Sequence, residues 1–170
     1  GLPFIGINCG HVGFLMNPLE DIKRGLTDVS SIILRPQPLL SVRPFFNGTP
    51  VQPFRAFNDV WIERKFGQCC ALRLAVNGAT RIERMLCDGL LVCTSVGSTG
   101  YAASLGLPAV PPTTPLIALV PINCRQPRGL SPIFLPLSTS IDIQCAETEK
   151  RKSRAFYDGV EVGDVDELHI

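Results

Sequence analysis

The chain has 170 residues, of which 45% are hydrophobic and 18% charged, with a formal net charge of +1. That length and apolar content suit one globular domain with its own core and exclude a disordered chain. Charges so sparse and balanced leave no basic field for nucleic acid or an anionic membrane surface, so neither is expected as a partner.

No apolar run reaches the roughly 18 to 20 residues needed to cross a bilayer. The start also lacks the basic stretch, apolar core and cleavage site of a leader. The expected setting is therefore intracellular, with the cytoplasm as the default. Seven cysteines (Cys9, Cys69, Cys70, Cys87, Cys93, Cys124 and Cys145) are odd in number and form no CxxC. They read as reduced thiols buried as small hydrophobes rather than as a disulfide framework. With only His11 and His169 available, no metal site is expected.

In chain order, residues 2–15 (LPFIGINCGHVGFL) begin like the tail of a strand and run into a loop with Gly10 and Gly13, as though an earlier part of a sheet were missing. A helix follows, with Asn17 able to cap it, Pro18 in its first position, and Glu20 and Asp21 at the positive end of its dipole. Leu19, Ile22 and Leu26 give it one apolar face. Beyond it, fifteen glycines and fifteen prolines in the chain argue against a helical bundle. Short apolar or alternating runs predict strands at 31–35, 39–46, 54–64, 69–76, 84–94, 116–122, 133–137, 141–145 and 154–162. Asn77-Gly78 and Asp158-Gly159 read as type I′ hairpin turns. A second short helix is expected from near Ser98 or Thr99 to Gly106. The architecture is thus mainly β, mostly antiparallel sheet with two short helices.

Three stretches carry chemistry. In CDGLLVCTSVGSTGYAASLG, residues 87–106, Asp88 heads an apolar strand that opens into hydroxyls and glycines before a helix. Backbone N–H groups at a helix start suit a polar or anionic ligand, and they equally suit an ordinary Ser/Thr cap with Tyr101 packed on the core. Asn58-Asp59 interrupts a strand: an amide can address a planar base and a carboxylate a vicinal diol, or the pair is a turn or bulge. In Asn8 to Leu15, Gly10 and Gly13 allow close backbone approach to a ligand or a tight turn, and His11 can orient a phosphate or sit exposed on the loop.

Taken in order, these stretches resemble the NAD kinase family. NCGHVGFL is similar to the family's Asn-x-Gly-x-Leu-Gly-Phe-Leu, and Asn58-Asp59 with Glu63-Arg64 to its Asn-Glu and following Glu-Arg. Asp88-Gly89, Thr94 and Gly97-Ser98-Thr99-Gly100-Tyr101 resemble its Asp-Gly-x-x-x-x-Thr-Pro-Thr-Gly-Ser-Thr-Ala-Tyr, and Asp158-Gly159 its late hairpin. The resemblance implies the antiparallel β-sandwich-like C-terminal domain of the NAD kinase and diacylglycerol kinase-like fold. It implies one NAD-binding domain over residues 1–170, with 1–15 a remnant of the connection from an absent N-terminal α/β lobe. By the same resemblance the enzyme phosphorylates the adenosine ribose 2′-hydroxyl of NAD, with ATP or polyphosphate and Mg²⁺ as donor. Asn58 would face adenine, Asp59 the adenosine ribose and Asp88 the nicotinamide-side nucleoside. Thr99, Gly100, Tyr101 and Ser104 would line the pocket, and Asn8, Gly10 and His11 would make loop or phosphate contacts. A homo-oligomer, dimer or tetramer, is implied because the family's site is shared across a subunit interface.

The sequence departs from the family pattern in places. The Gly-Gly-Asp-Gly that carries the catalytic carboxylate is absent, so no catalytic residue is expected in this chain. Ser95-Val96 replaces a proline and a hydroxyl residue, and Asn123-Cys124-Arg125-Gln126 replaces a stretch that contains Pro-His in the family. The alternative is a non-catalytic β-rich module that keeps the fold for oligomerisation or regulation.

Overall fold

The computed structural model describes residues 3–11, 15–28, 30 and 32–170, and its chain forms two compact units, Gly1–Gln37 and Pro38–Ile170. In the first unit, helix α1 (Leu19–Thr27) has Glu20 and Asp21 in its first turn and Arg24 in its last, as the helix dipole favours. Its start differs from expectation. Pro18 occupies the cap position with extended backbone, and the Asn17 amide donates to the Gly6 carbonyl at 3.0 Å. Asn17 is spent on a parallel bridge with Ile7, so it cannot cap. The strand expected at 31–35 does not form over the described residues 32–35, where Ile33 and Leu34 are exposed between flanking loops; Ser31 lies outside the described residues.

The second unit consists of two antiparallel sheets. Its strands are β1 (Leu40–Phe46), β2 (Thr49–Pro50), β3 (Phe54–Ala56), β4 (Asp59–Arg64), β5 (Cys70–Val76), β6 (Ala79–Cys87) and β7 (Gly89–Thr94). After them come β8 (Leu116–Ile122), β9 (Ile133–Pro136), β10 (Ile141–Ala146), β11 (Ser153–Tyr157), β12 (Val160–Asp164) and β13 (Glu167–His169). One sheet runs β2-β1-β13-β10-β5-β6, with β3 added to β1, and the other β12-β11-β4-β7-β8-β9.

Hydrophobic pattern explains which strands are central. Every residue of β7 (GLLVCT) is buried, because both faces of that strand are covered. Val60, Ile62, Leu90 and Val92 on one sheet pack against Leu72, Leu74, Ile143 and Leu168 of the other to make the main core. The opposite face of the second sheet carries a smaller cluster around Leu91, Cys93, Ala118 and Val120, with Ala102 and Leu107 laid over it. All seven cysteines are free, but only Cys70, Cys87 and Cys93 are buried as expected, whereas Cys9 is exposed and Cys69, Cys124 and Cys145 are half-buried; burial pushes the thiols of Cys93 and Cys145 up to about 12.

Both anticipated hairpins form, with Asn77, Gly78, Asp158 and Gly159 at φ values of 52, 73, 46 and 81°. A third, at Asn47-Gly48, joins β1 to β2. Two expected strands are each divided. The 54–64 run breaks at Phe57-Asn58 into β3 and β4, and the 84–94 run is cut at Asp88 into β6 and β7, which belong to different sheets. The second helix is shorter than expected: a 3₁₀ turn over Val96–Thr99 and then α2 (Tyr101–Ser104), interrupted at Gly100 and ended by Gly106 at φ 89°.

Candidate functional site

The break at Phe57-Asn58 is built by a residue one hundred positions away in the chain. Asp158, first residue of the β11–β12 turn, accepts the Phe57 N–H on Oδ2 at 2.7 Å. Its Oδ1 accepts the N–H groups of Asn58 at 2.7 Å and Asp59 at 3.2 Å. The Asp158 N–H in turn donates to the Asp59 carbonyl at 3.1 Å. From the other side the Thr94 hydroxyl donates to Phe57 O at 2.8 Å and the Thr94 N–H to Asn58 O at 2.9 Å. Gly97 is required here, since a Cβ would collide with the Asn58 carbonyl.

This clamp leaves Asn58 half-buried and Asp59 only 5% exposed. Among the described residues no hydrogen bond or ion pair reaches the Asp59 carboxylate oxygens. Burial raises its carboxyl to about 6, and the neighbouring Asp158 carboxylate pushes the same way. Gly100 is a close neighbour of the carboxylate: a Cβ built there would stand 3.8 Å from Asp59 Oδ2 and 3.3 Å from Gly97 O.

The hydroxyls of the Thr94–Ser104 stretch are largely spent on the backbone. Ser95 donates to Pro112 O, Ser98 to Ser95 O, Thr99 to Val96 O and Ser104 to Tyr101 O. Ser98 also accepts the Val110 N–H at 2.9 Å, tying the proline-rich loop down. No side chain caps α2. The expected Ser/Thr cap does not form and Tyr101 is exposed rather than packed on the core: the serines and threonines bond to backbone carbonyls, and Thr99, Gly100, Tyr101 and Ser104 present an exposed surface.

At the far end of β7, Asp88 is held by Arg64 (Nε to Oδ1, 2.7 Å) and by the Asn123 amide (Nδ2 to Oδ2, 3.0 Å). Asp59 pairs with Cys93, five residues beyond Asp88, so the two carboxylates stand on the order of 17 Å apart along the strand. Between them Trp61 stacks on Phe156 at 4.9 Å and meets Tyr101 edge-on at 5.3 Å. Glu63 accepts from Trp61 Nε1 and from Arg154. Partial burial raises the Tyr101 phenol, and the negative charges of Glu63, Asp88 and Asp59 push the same way.

Asn8, Gly10 and His11 belong to the first unit. Gly10 N–H donates to Asn8 Oδ1 at 3.1 Å, a short side-chain turn, and both Gly10 and His11 are exposed. Val12, Gly13 and Phe14 of the same motif lie outside the described residues. Sequence reading missed Asp158 as the builder of the Asn58-Asp59 loop, Asn123 as a partner of Asp88, and the Trp61–Phe156 stack. The Asp-Gly turn held a signal for the first, because a turn aspartate has a carboxylate free to accept nearby N–H groups. Among the described residues no group of three His, Cys, Asp or Glu side chains could hold a metal ion.

Two packed antiparallel sheets, with the partner-free, buried Asp59 carboxylate beside one end of β7 and the clamped Asp88 carboxylate at the other, define the domain. A family model described as the ATP-NAD kinase C-terminal domain matches residues 57–167. The NAD kinase of Brucella suis is 33% identical over all of this chain and 66% of its own length, and that of Rickettsia bellii 36% identical over 99% and 66%. The crystal structure of yeast NADH kinase complexed with NADH superposes with a TM-score of 0.83 at 25% identity, covering 96% of this chain and 49% of the yeast one. An Archaeoglobus fulgidus NAD kinase in complex with ATP shares the fold, with a TM-score of 0.73 at 24% identity over 98% of this chain and 64% of its own. The chain belongs to the NAD kinase family. It spans about 66% of the length of the Brucella and Rickettsia relatives.

Proposed function

We propose that this chain forms the NAD-binding domain of a NAD kinase, which phosphorylates the adenosine ribose 2′-hydroxyl of NAD to give NADP. Asp59 carries the reading: a carboxylate on a residue 5% exposed, without a polar partner among the described residues, next to Gly100. A carboxylate so placed can accept both hydroxyls of a vicinal diol, and ligand binding then supplies the hydrogen bonds that folding does not. In this arrangement Asn58 meets adenine, Asp59 the adenosine ribose and Asp88 the nicotinamide-side nucleoside. Thr99, Gly100, Tyr101 and Ser104 form the wall.

Membership of the family and the likeness to a yeast enzyme bound to NADH support the ligand class. The donor, ATP or polyphosphate with Mg²⁺, needs metal ligands, and proton removal needs a base within hydrogen-bond reach of the attacking hydroxyl. The donor set among the described residues does not fit a metal, so no step is assigned to one here. A homo-oligomer that shares the site belongs to the same proposal.

The test is NADP formation from NAD and ATP or polyphosphate by the full-length polypeptide that carries this sequence. Asp59→Ala and Asp88→Ala are each expected to raise the KM for NAD by about tenfold or more, as loss of a charge-assisted hydrogen bond predicts. An unchanged KM in both variants would contradict the assignment. A folded protein with no NAD binding would favour the non-catalytic module.

A further inference from the structure

Asp88 sits where the chain leaves one sheet for the other, between β6 and β7. Its backbone is fixed on both sides, with its N–H donating to Ile122 O at 2.9 Å and its carbonyl accepting the Arg64 N–H at 2.9 Å. Its side chain is fixed as firmly. Each carboxylate oxygen has one partner from a different element: Arg64 from the end of β4 on Oδ1, and Asn123 from the loop after β8 on Oδ2. Arg64 is itself anchored, because its Nη1 donates to Phe66 O at 2.8 Å.

A carboxylate has about four lone-pair positions. The two partners each engage one oxygen, and the side chain remains 31% exposed, so accepting capacity is left facing outward. Asn123 suits its place twice over. Its backbone is left-handed, at φ 45°, where asparagine is better tolerated than most residues, and its amide reaches the carboxylate. It also falls in the stretch where the sequence departs from the family's Pro-His pattern.

We propose that Arg64 and Asn123 are positioning residues that form a two-armed clamp on Asp88, presetting its carboxylate for the far nucleoside of a dinucleotide. The inference rests on the reading of the site given above. Without the clamp an aspartate at this exposure samples several rotamers, and the cost of ordering it falls on ligand binding. The clamp therefore acts on the dinucleotide and leaves the adenosine half of the ligand alone.

Asn123→Gly separates the two roles of the residue, since glycine keeps the left-handed backbone and removes only the amide. Arg64→Lys is the second variant; it keeps the charge and loses the planar Nε–H. Affinities for NAD and for AMP are measured by calorimetry on the full-length polypeptide carrying this sequence. Both variants are expected to weaken NAD binding by roughly five- to tenfold while AMP affinity stays within about twofold. Unchanged NAD affinity in both variants would overturn the clamp and leave the site assignment standing. Equal losses for NAD and AMP would also overturn it, in favour of a general structural role. Failure of the unaltered protein to bind NAD would overturn the site assignment and the clamp together.

Discussion

Burial raises the Asp59 carboxyl to about 6, from an ordinary 3.8, with the Asp158 carboxylate adding to the effect. In the unfolded chain Asp59 ionises near pH 4; in the fold it stays protonated to about pH 6. Between those values the folded state holds more protons, so stability falls as pH rises, and the deficit is complete above about pH 6. Its size is at most about 3 kcal/mol, at roughly 1.4 kcal/mol for each pH unit between the two values. Asp59→Asn keeps the shape without the charge. In urea unfolding at pH 7.5 it should be more stable than the parent by up to that amount, with the gap closing toward pH 4. A variant less stable than the parent at pH 7.5 would show that the carboxylate has a stabilising partner. Ligand affinity should follow the opposite course, because only the ionised group accepts from both ribose hydroxyls. NAD affinity is accordingly expected to fall as pH is lowered through about 6, and a titration flat from pH 5 to 8 would contradict that role for Asp59.

The element that places Asp59 is the β11–β12 turn, through three backbone N–H groups on the Asp158 carboxylate. Asp158→Ala leaves those donors to water and should cost roughly 2 kcal/mol of stability together with NAD affinity. Loss of stability with full affinity would mean that the Asn58-Asp59 loop holds its shape unaided. Gly97→Ala pushes a methyl group into the Asn58 carbonyl and should disturb the same loop from below. Elements of this kind are only partly legible in the sequence. The Asn77-Gly78 and Asp158-Gly159 turns and the apolar run of β7 are local signals, and the structure bears each of them out. The break before Asp59 is legible as an Asn-Asp interruption of a strand, but its clamp by Asp158 is not, and neither is the change of sheet at Asp88, because distant partners, Asp158 and Ile122, hold both. β13 escapes sequence reading for a related reason. It has three residues, and only pairing with β1 and β10 makes it a strand. At the site, the order of motifs makes Asn58, Asp59 and Asp88 legible as candidates, whereas Asn123 carries no local mark of its bond to Asp88.

Across the whole molecule, the two sheets close on a core in which Ile62, Leu72, Leu90 and Ile143 are fully buried. Leu90 lies on β7 between the two carboxylate ends, with its side chain turned into the core. Leu90→Ala should destabilise the protein by about 2 to 5 kcal/mol without altering the site's polar groups. The urea midpoint should shift with little change in slope, and a smaller loss would mean that the core closes over the gap. The same core backs β4 and β7, and the pairing of those strands sets the separation of Asp59 and Asp88 along the sheet. The most direct test of this account is a calorimetric titration of the protein with NAD at pH 7.5, with ATP as comparison. Saturable NAD binding that weakens in both Asp59→Asn and Asp88→Asn, with no matching ATP site, is the predicted result. NAD binding of equal strength in the parent and both variants, or none in a folded parent, would contradict it.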